Sequence, residues 1–594
     1  AAAALAASAR RAAIDPSLLG AWHAGLTSRA ARHARGQYYT PAAVVELVLD
    51  SAGHPGSSDL LDPMCGAGAF LVAALRRLAA AHPGMGTADL AARVQGMDVD
   101  PLTVLLARAA CLLTLAHLCG GRLDPATRVQ VACMDAVRDE PASGRAFGIV
   151  AGNPPWVAWD HLPEAWRRDT YPLWRRHGLF AEDGSRKDMQ AVLGSGRKDL
   201  AMLATCVAAD RWLAPGGTLS FVLGRGLLKS VGSASGFRRF VTAGGVPLRV
   251  VEVHDLGSGI FRGTAARPIV LTLRKGEPTR YPVPWRRGAA CLQAEPVDPA
   301  DPCSAWMTLP AVRHAAVRGV LGPSPYQAHA GAYTGGANGV YWVRRIETAP
   351  DADGTVEVAN LADAGRRPVP AVTVRLEAGL LYPLARAGDV GRFSVAPSAW
   401  ILLAQDPARR QGIDDVTMRA RFPRALAYLT SMAGPLEARR DRGTRALIRC
   451  GAPPWTMFGV SMATVSSWKV VWPRIASRMS AAVLGPRDGR PVVPQETCSL
   501  IACEDEEEAS YLAGMLNGPL FQEAAAAFAD TGGKSFGSPH LLRHIAVPRF
   551  ERGRPDHRRL ARAVMQQGPG LTGAELNELT GAVWGVSSPP AAIR

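Results

Sequence analysis

The chain has 594 residues, 48% of them hydrophobic, and its 67 Lys and Arg against 51 Asp and Glu give a net charge of +16. That length suits two to four globular domains, and the basic balance favours a polyanionic partner such as nucleic acid over an acidic small molecule, the competing account being an Arg-rich background. Ten cysteines without finger-like spacing speak for reduced thiols in a cytosol and against structural zinc, and the expectation is that no apolar run reaches the ~18 to 20 residues that cross a bilayer.

Residues 1–35 open on "AAAALAASARRAAIDPSLLGAW", which lacks the ordered basic, apolar and cleavage regions of a signal peptide. The expectation there is a helical arm, trimmed or fragmentary since it begins without Met. In "DLLDPMCGAGAFLVAALRRLAAAH" a short strand ending near Leu61 meets a turn with Gly66 and Gly68. A helix follows, with Phe70, Leu71, Ala74 and Leu75 at helical spacing. Glycines there let the backbone approach a ligand, and a helix N-terminus offers free N–H groups, although a plain strand-to-helix turn would look the same.

"ARVQGMDVDPLTVLLARAACLLTL" predicts a second strand ending in Asp98 and Asp100, with Asp100 an N-cap before Pro101. A third strand, "TRVQVACMD", ends in Asp135. Acids at successive strand ends fit a nucleoside-bearing ligand at the carboxyl edge of a parallel sheet, where a carboxylate accepts from a ribose diol. The fourth strand, "FGIVA", runs into "GNPPW". Asn153 can accept through its amide oxygen, Pro154 has no N–H and leaves its carbonyl unopposed, and Trp156 offers a flat apolar face. Two acceptors and a stacking surface suit an exocyclic amine on a planar base, or an amide nitrogen.

"GRKDLAMLATCVAADRWLAPGGTLSFVLGRGLL" predicts a helix, a turn at Pro215, Gly216 and Gly217, and a buried strand. "LRVVEVHD" and "RPIVLTLRKG" bring the count to seven strands between residues 59 and 274. Pro and Gly then rise, so 281–325 is expected to be a connector. Residues 326–594 mix strand-like runs such as "WKVVW" with helices such as "EASYLAGMLNGPLFQEAAAAFA", giving a second, mixed α+β domain. Its cluster Arg439, Arg440, Arg442, Arg445 and Arg449, with Lys534 added, suits a phosphate-tracking surface, against the alternative of a solvated helix face. "GGKS" at 532 to 535 lacks the earlier Gly and leading strand of a P-loop, and Glu504 to Glu508 should begin a helix.

The motifs "GQYYTPAAVVELVL", "DPMCGAGAF", "GMDVDP", "CMDA" and "GNPPW", in that order, resemble those of S-adenosylmethionine-dependent N6-adenine DNA methyltransferases of the gamma group, with specific matches from about Gly36 to Gly276. The resemblance implies an α/β fold, a doubly wound and mostly parallel seven-stranded sheet with one reversed strand, as a catalytic domain over 36–280. It implies that Thr40 and Pro41 contact the methionine part of the cofactor, with Tyr39 beside them also cofactor-binding, that Asp62, Cys65, Gly66 and Gly68 form the loop beneath it, and that Asp98 binds its ribose and Asp135 its adenine amine. Asn153, Pro154, Pro155 and Trp156 would be the catalytic tetrapeptide, and Phe261, in "HDLGSGIFRGTAARPIVLTLRKG", the other half of a sandwich around an extruded adenine. Many relatives carry an Asp where this chain has Gly148.

The implied activity is methyl transfer to adenine N6 in double-stranded DNA within a restriction-modification or phage-defence system, with residues 326–594 recognising the target and no metal or membrane involved. Any nuclease would reside on another chain or a removed segment. Two other readings remain at this point. One is a glutamine-N5 protein methyltransferase, which poses the same amide-nitrogen problem; the other is a DNA-binding scaffold without turnover.

Overall fold

The computed structural model describes residues 19, 25, 39–140, 145–180, 198–229, 234–261, 267–528, 537 and 539–585, apart from 57, 348, 366, 367 and 477. Lys534, and all of the expected arm over 1–35 except residues 19 and 25, lie outside the described residues. The chain divides into two compact units, Ala1–Ala311 and Val312–Arg594.

In chain order the first unit contains α1 (Ala42–Ser51), β1 (Leu60–Asp62), α2 (Ala69–Ala81), α3 (Thr87–Ala92), β2 (Val94–Asp98), α4 (Pro101–Leu118), β3 (Gln130–Cys133) and β4 (Phe147–Gly152). It continues through α5 (Glu164–Arg176), α6 (Leu200–Val207), β5 (Leu213–Gly224), β6 (Leu248–Asp255), β7 (Pro268–Lys275), β8 (Val283–Arg287), β9 (Ala290–Pro296) and β10 (Trp306–Leu309). All ten strands form one sheet in the order β10-β9-β8-β6-β7-β5-β4-β1-β2-β3. Strands β3, β2, β1, β4 and β5 are parallel, and β7 runs antiparallel to both β5 and β6. Strands β1 to β7 make the expected seven-stranded, doubly wound sheet with β7 reversed, and β8, β9 and β10 extend it to ten strands, with β9 a second reversed strand. Strand order reverses between β1 and β4, and in an open α/β sheet that reversal opens a crevice at the carboxyl ends of the two strands.

Three differences from the sequence expectations have physical causes. Residues 281–325 were expected to be a connector, but β8 pairs in parallel with β6, β9 adds antiparallel to β8, and β10 adds antiparallel to β9. The expected turn at Pro215, Gly216 and Gly217 is a bulge within β5, whose pairing with β4 jumps from Phe147–Leu213 to Ile149–Thr218. Helix α4 is, by length and composition, apolar enough to cross a membrane. Its Val104, Ala107, Ala110, Cys111 and Leu115 are buried, and Val104, Ala107, Cys111 and Leu115 join the core on one face of the sheet.

Alternation along the strands fills both faces. Val150 and Phe221 point into a core with Trp174 and the residues of α6, while their neighbours Ile149, Ala151 and Val222 point into the opposite core with α1, α2 and α4. All eight residues of α6 are buried, and each Leu, Met or Val among them contributes roughly 1.5 to 3 kcal/mol by leaving water. A strand buried on both sides reads as the continuous apolar runs seen in "GIVA" and "SFVL".

The second unit is α+β. It has a six-stranded sheet running from Thr373–Glu377 to Val493–Pro494 and a four-stranded sheet whose centre pairs Trp468–Pro473 with Cys498–Cys503. Helix Glu506–Asn517 begins, as the acidic run predicts, with Asp505 accepting from the Glu508 amide.

Candidate active site

The crevice begins at the end of β1. Asp62 is 1% exposed and its Oδ1 accepts from the Met64 amide at 3.1 Å. Burial, with the nearby Asp98 charge adding to it, pushes the Asp62 carboxyl up from 3.8 to about 8. The turn that follows needs its glycines: Gly66 has φ +52° and Gly68 φ +88°. A Cβ on Gly66 would meet nothing within 4 Å, whereas one on Gly68 would lie 3.1 Å from the Ala107 Cα. Gly66 therefore presents backbone to open space, and Gly68 lets α2 approach α4. Cys65 is buried, and its amide donates to the Met97 carbonyl at 2.8 Å, tying the turn to β2.

Asp98, at the end of β2, is held by three donors. The Gly66 amide reaches its Oδ2 at 2.9 Å, while the Asp100 amide and the Thr103 hydroxyl reach Oδ1 at 2.9 and 2.8 Å. This carboxylate locks the glycine turn, and one Oδ2 lone pair remains for a further donor. Asp100 is the N-cap of α4, accepting from Leu102. Beyond β3, Asp135 accepts through Oδ1 from the Val137 and Arg138 amides and through Oδ2 from the Trp166 indole.

The opening of "GNPPW" is packed against the same acid. A Cβ on Gly152 would fall 2.5 Å from Asp62 Oδ1, so only glycine lets β4 end beside Asp62. Asn153 donates through Nδ2 to the Thr40 hydroxyl at 3.1 Å, and its Oδ1 is buried without a hydrogen-bond partner. A buried amide oxygen left unpaired costs about 1 to 3 kcal/mol, which marks it as an acceptor awaiting a donor. Thr40 is buried ahead of α1, Pro41 accepts at the first turn of that helix, and Tyr39 is 44% exposed. Pro154 is buried and Pro155 half-buried. Gly148 faces Ser58, whose Oγ would lie 2.3 Å from an added Cβ.

Trp156 and Phe261 do meet, but not as the two faces of a sandwich. Their centroids are 5.4 Å apart with the planes at 72°, an edge-to-face pair with no slot for a base between parallel rings. Trp156 also donates to the Val222 carbonyl at 3.3 Å, and Phe261 is 4% exposed. Each ring satisfies the other's apolar surface in this arrangement.

In the second unit the arginine cluster divides. Arg439, expected on a phosphate-tracking surface, is 5% exposed. Its guanidinium donates to the carbonyls of Leu436 at 2.9 Å, Thr456 at 2.7 Å and Pro454, so it is a structural clamp. Arg440, Arg442, Arg445 and Arg449 are exposed. The last three fall at i, i+3 and i+7 on one face of helix Arg442–Arg449, whose N-cap is Asp441.

Two participants carried no sequence signal. Thr103 supports Asp98 from five residues away, and Trp166 reaches Asp135 from α5; neither lies in a motif, and their partners are set by how α4 and α5 pack.

The fold and the chain of strand-end groups define a class I methyltransferase architecture, with a glycine turn, acids on β2 and β3, and an amide acceptor on β4. Residues 24–288 match the N-6 DNA Methylase family model. The type I restriction enzyme MjaIX methylase subunit of Methanocaldococcus jannaschii is 30% identical over 128 residues, 21% of this chain and 20% of that relative's length. Among solved structures, the type IIL restriction-modification enzyme MmeI in complex with DNA aligns with a TM-score of 0.59 at 12% identity. The alignment covers 97% of this chain and 80% of that one, a likeness of fold spanning both units. A modification subunit of a type I restriction enzyme from Vibrio vulnificus aligns over 42% of this chain and 47% of its own at 17% identity and a TM-score of 0.29.

Proposed function

We propose that this chain transfers a methyl group from S-adenosylmethionine to N6 of an adenine flipped out of a specific double-stranded DNA sequence. It would act in the cytoplasm as part of a restriction-modification or phage-defence system, alongside nuclease or other defence subunits. The observation that carries the reading is the buried, unpartnered Asn153 Oδ1 at the reversal point of the sheet, one residue past the Gly152 contact with Asp62.

S-adenosylmethionine supplies an electrophilic methyl on a sulfonium. The residues present fit that group: Gly66 leaves open space above the turn, Asp98 and Asp135 each keep an Oδ2 lone pair for ribose and adenine donors, and Thr40, Pro41 and Tyr39 stand ahead of α1. Adenine N6 is a poor nucleophile because its lone pair is delocalised into the ring. Asn153 Oδ1, together with the Pro154 carbonyl, would accept from the amine and favour the pyramidal geometry that attack requires. Positioning and electrostatics then carry the rate, without a covalent intermediate. Because N6 is inside the duplex, the base must be extruded at a cost of a few kcal/mol, offset by stacking on Trp156. Phe261 completes that wall only if it separates from Trp156.

DNA engagement rests on the second unit and the exposed Arg440, Arg442, Arg445 and Arg449. The family of residues 24–288 favours adenine over a glutamine amide, and the unpaired Asn153 acceptor favours a working enzyme over a silent scaffold. The test is single-turnover methyl transfer to duplex DNA with cofactor binding measured in parallel. Asn153→Ala should lower the rate by roughly 10²- to 10³-fold while the cofactor still binds. Transfer by the variant at the wild-type rate would reduce "GNPPW" to a strand-end turn.

A further inference from the structure

Asp135 and α5 carry an arrangement that the proposed reaction does not by itself require. Both oxygens of the Asp135 carboxylate are engaged: Oδ1 takes the Val137 amide at 2.9 Å and the Arg138 amide at 3.2 Å, and Oδ2 takes the Trp166 Nε1 at 3.3 Å. A carboxylate oxygen accepts about two hydrogen bonds. Oδ1 is therefore filled and Oδ2 keeps one direction open, set by the indole that occupies the other.

Trp166 reaches this position from the element that follows the acceptor turn. It lies on α5, one helical turn before Asp169, whose carboxylate meets the Arg138 guanidinium at 3.4 Å, so one face of α5 is turned to the 135–139 segment. The Trp166 ring is half-buried and packs on the same core as Met64 and Met134, beside the ends of β1 and β3. The helix thus ties the segment after "GNPPW" to the acid at the end of β3.

We infer that Trp166 is a positioning residue of the cofactor site: its indole N–H aims the one remaining Oδ2 lone pair of Asp135, and so makes the site select a 6-aminopurine over a 6-oxopurine. The inference rests on the proposed reading that Asp135 accepts from the cofactor's adenine amine. An amine donates to the aimed lone pair, whereas a 6-oxo group would set acceptor against acceptor. A site built around one hydrogen bond rejects the analogue that cannot make it more strongly than an apolar wall can.

The experiment compares binding of S-adenosylhomocysteine and its deaminated analogue S-inosylhomocysteine by calorimetry, in the full chain and in Trp166→Phe. Phenylalanine keeps an aromatic ring and removes the donor. The wild-type preference for the adenine ligand should fall by about tenfold, equivalent to 1.4 kcal/mol, with the affinity for the inosine ligand unchanged. A second replacement, benzothienylalanine at position 166, keeps the bicyclic shape and lacks only the N–H; it should reproduce the loss even if phenylalanine disturbs packing. A wild-type preference retained in the benzothienyl protein, or an equal weakening of both ligands, would overturn the assignment and leave Trp166 a packing residue. If the wild-type chain binds neither ligand, the cofactor reading falls and this inference with it; if it binds and discriminates, only the role of Trp166 is at stake.

Discussion

Asp62 gives the sharpest stability prediction. Its side chain is buried, its ionised form is disfavoured first by that burial, and its pKa rises from 3.8 to about 8. The folded chain therefore keeps a proton that the unfolded chain releases. The resulting advantage is complete below pH ~4 and is lost as the pH climbs through about 8. Between those limits the folded state holds about one extra proton, so stability should fall by about 1.4 kcal/mol per pH unit, or about 2.7 kcal/mol from pH 5 to 7. Asp62→Asn preserves shape, so the amide oxygen still accepts from Met64 and still fits beside Gly152, but it does not titrate. Unfolding of the cofactor-free proteins by heat and by urea at pH 5, 6, 7 and 8 should show the variant gaining on the wild type as pH rises, by on the order of 5 °C in Tm between pH 5 and 7. A constant gap between the two curves would refute the account, since other titrating groups are common to both proteins and cancel in the difference.

Gly152→Ala would place a methyl 2.5 Å from Asp62 Oδ1; the overpacking should cost about 1 to 3 kcal/mol and displace Asn153, which urea unfolding and single-turnover transfer would register together. Lys469, fully buried in strand Trp468–Pro473, has its ammonium pushed down by burial to about 7. Its folded pKa lies below the unfolded one, so stability is lost as pH falls from above 10 towards 7. Lys469→Met should flatten that slope and raise the Tm near pH 7, as scanning calorimetry at pH 7 and 9 would show. Removing Arg442, Arg445 and Arg449 together should leave stability within about 0.5 kcal/mol per site while reducing the salt-dependence slope of DNA binding by roughly 2 to 3. Arg439→Ala should do the reverse, costing several kcal/mol by orphaning three carbonyls without a specific change in the salt slope of whatever folded protein remains.

Much of the first unit could be read from the residues because its signals are local. The runs at β1, β4, β5 and β7 are apolar enough to announce strands buried on both faces, and Asp98 and Asp135 close their strands as the pattern implies. Hairpin β8–β9 escaped notice because Pro282, Pro284 and Gly288 punctuate it as a loop would, although Gly288 at φ +53° makes its turn. Proline at 284 is tolerated opposite Gln293, where pairing alone decides between strand and connector. Arg439 could not be told from Arg442 by sequence: both are arginines near an Asp, and only the packing of residues 454–456 against the first makes it structural. The Trp156–Phe261 geometry was likewise beyond reach, because a motif names two aromatics and not the angle between them.

The hairpin β8–β9 and the strand β10 also decide where the first unit can be separated from the rest. Strand β6 pairs through Val253 and His254 with Trp285 and Arg286. A fragment ending near residue 280, at the last recognisable motif, would bare that row of backbone donors and acceptors beside apolar side chains that Trp285 and Trp306 now cover. Such an edge templates pairing with another copy, and the expected outcome is insoluble protein. Carrying the fragment through residue 311 keeps the rim of the sheet on β10, whose four residues are all buried, so the hairpin serves as the sheet's own guard against self-association.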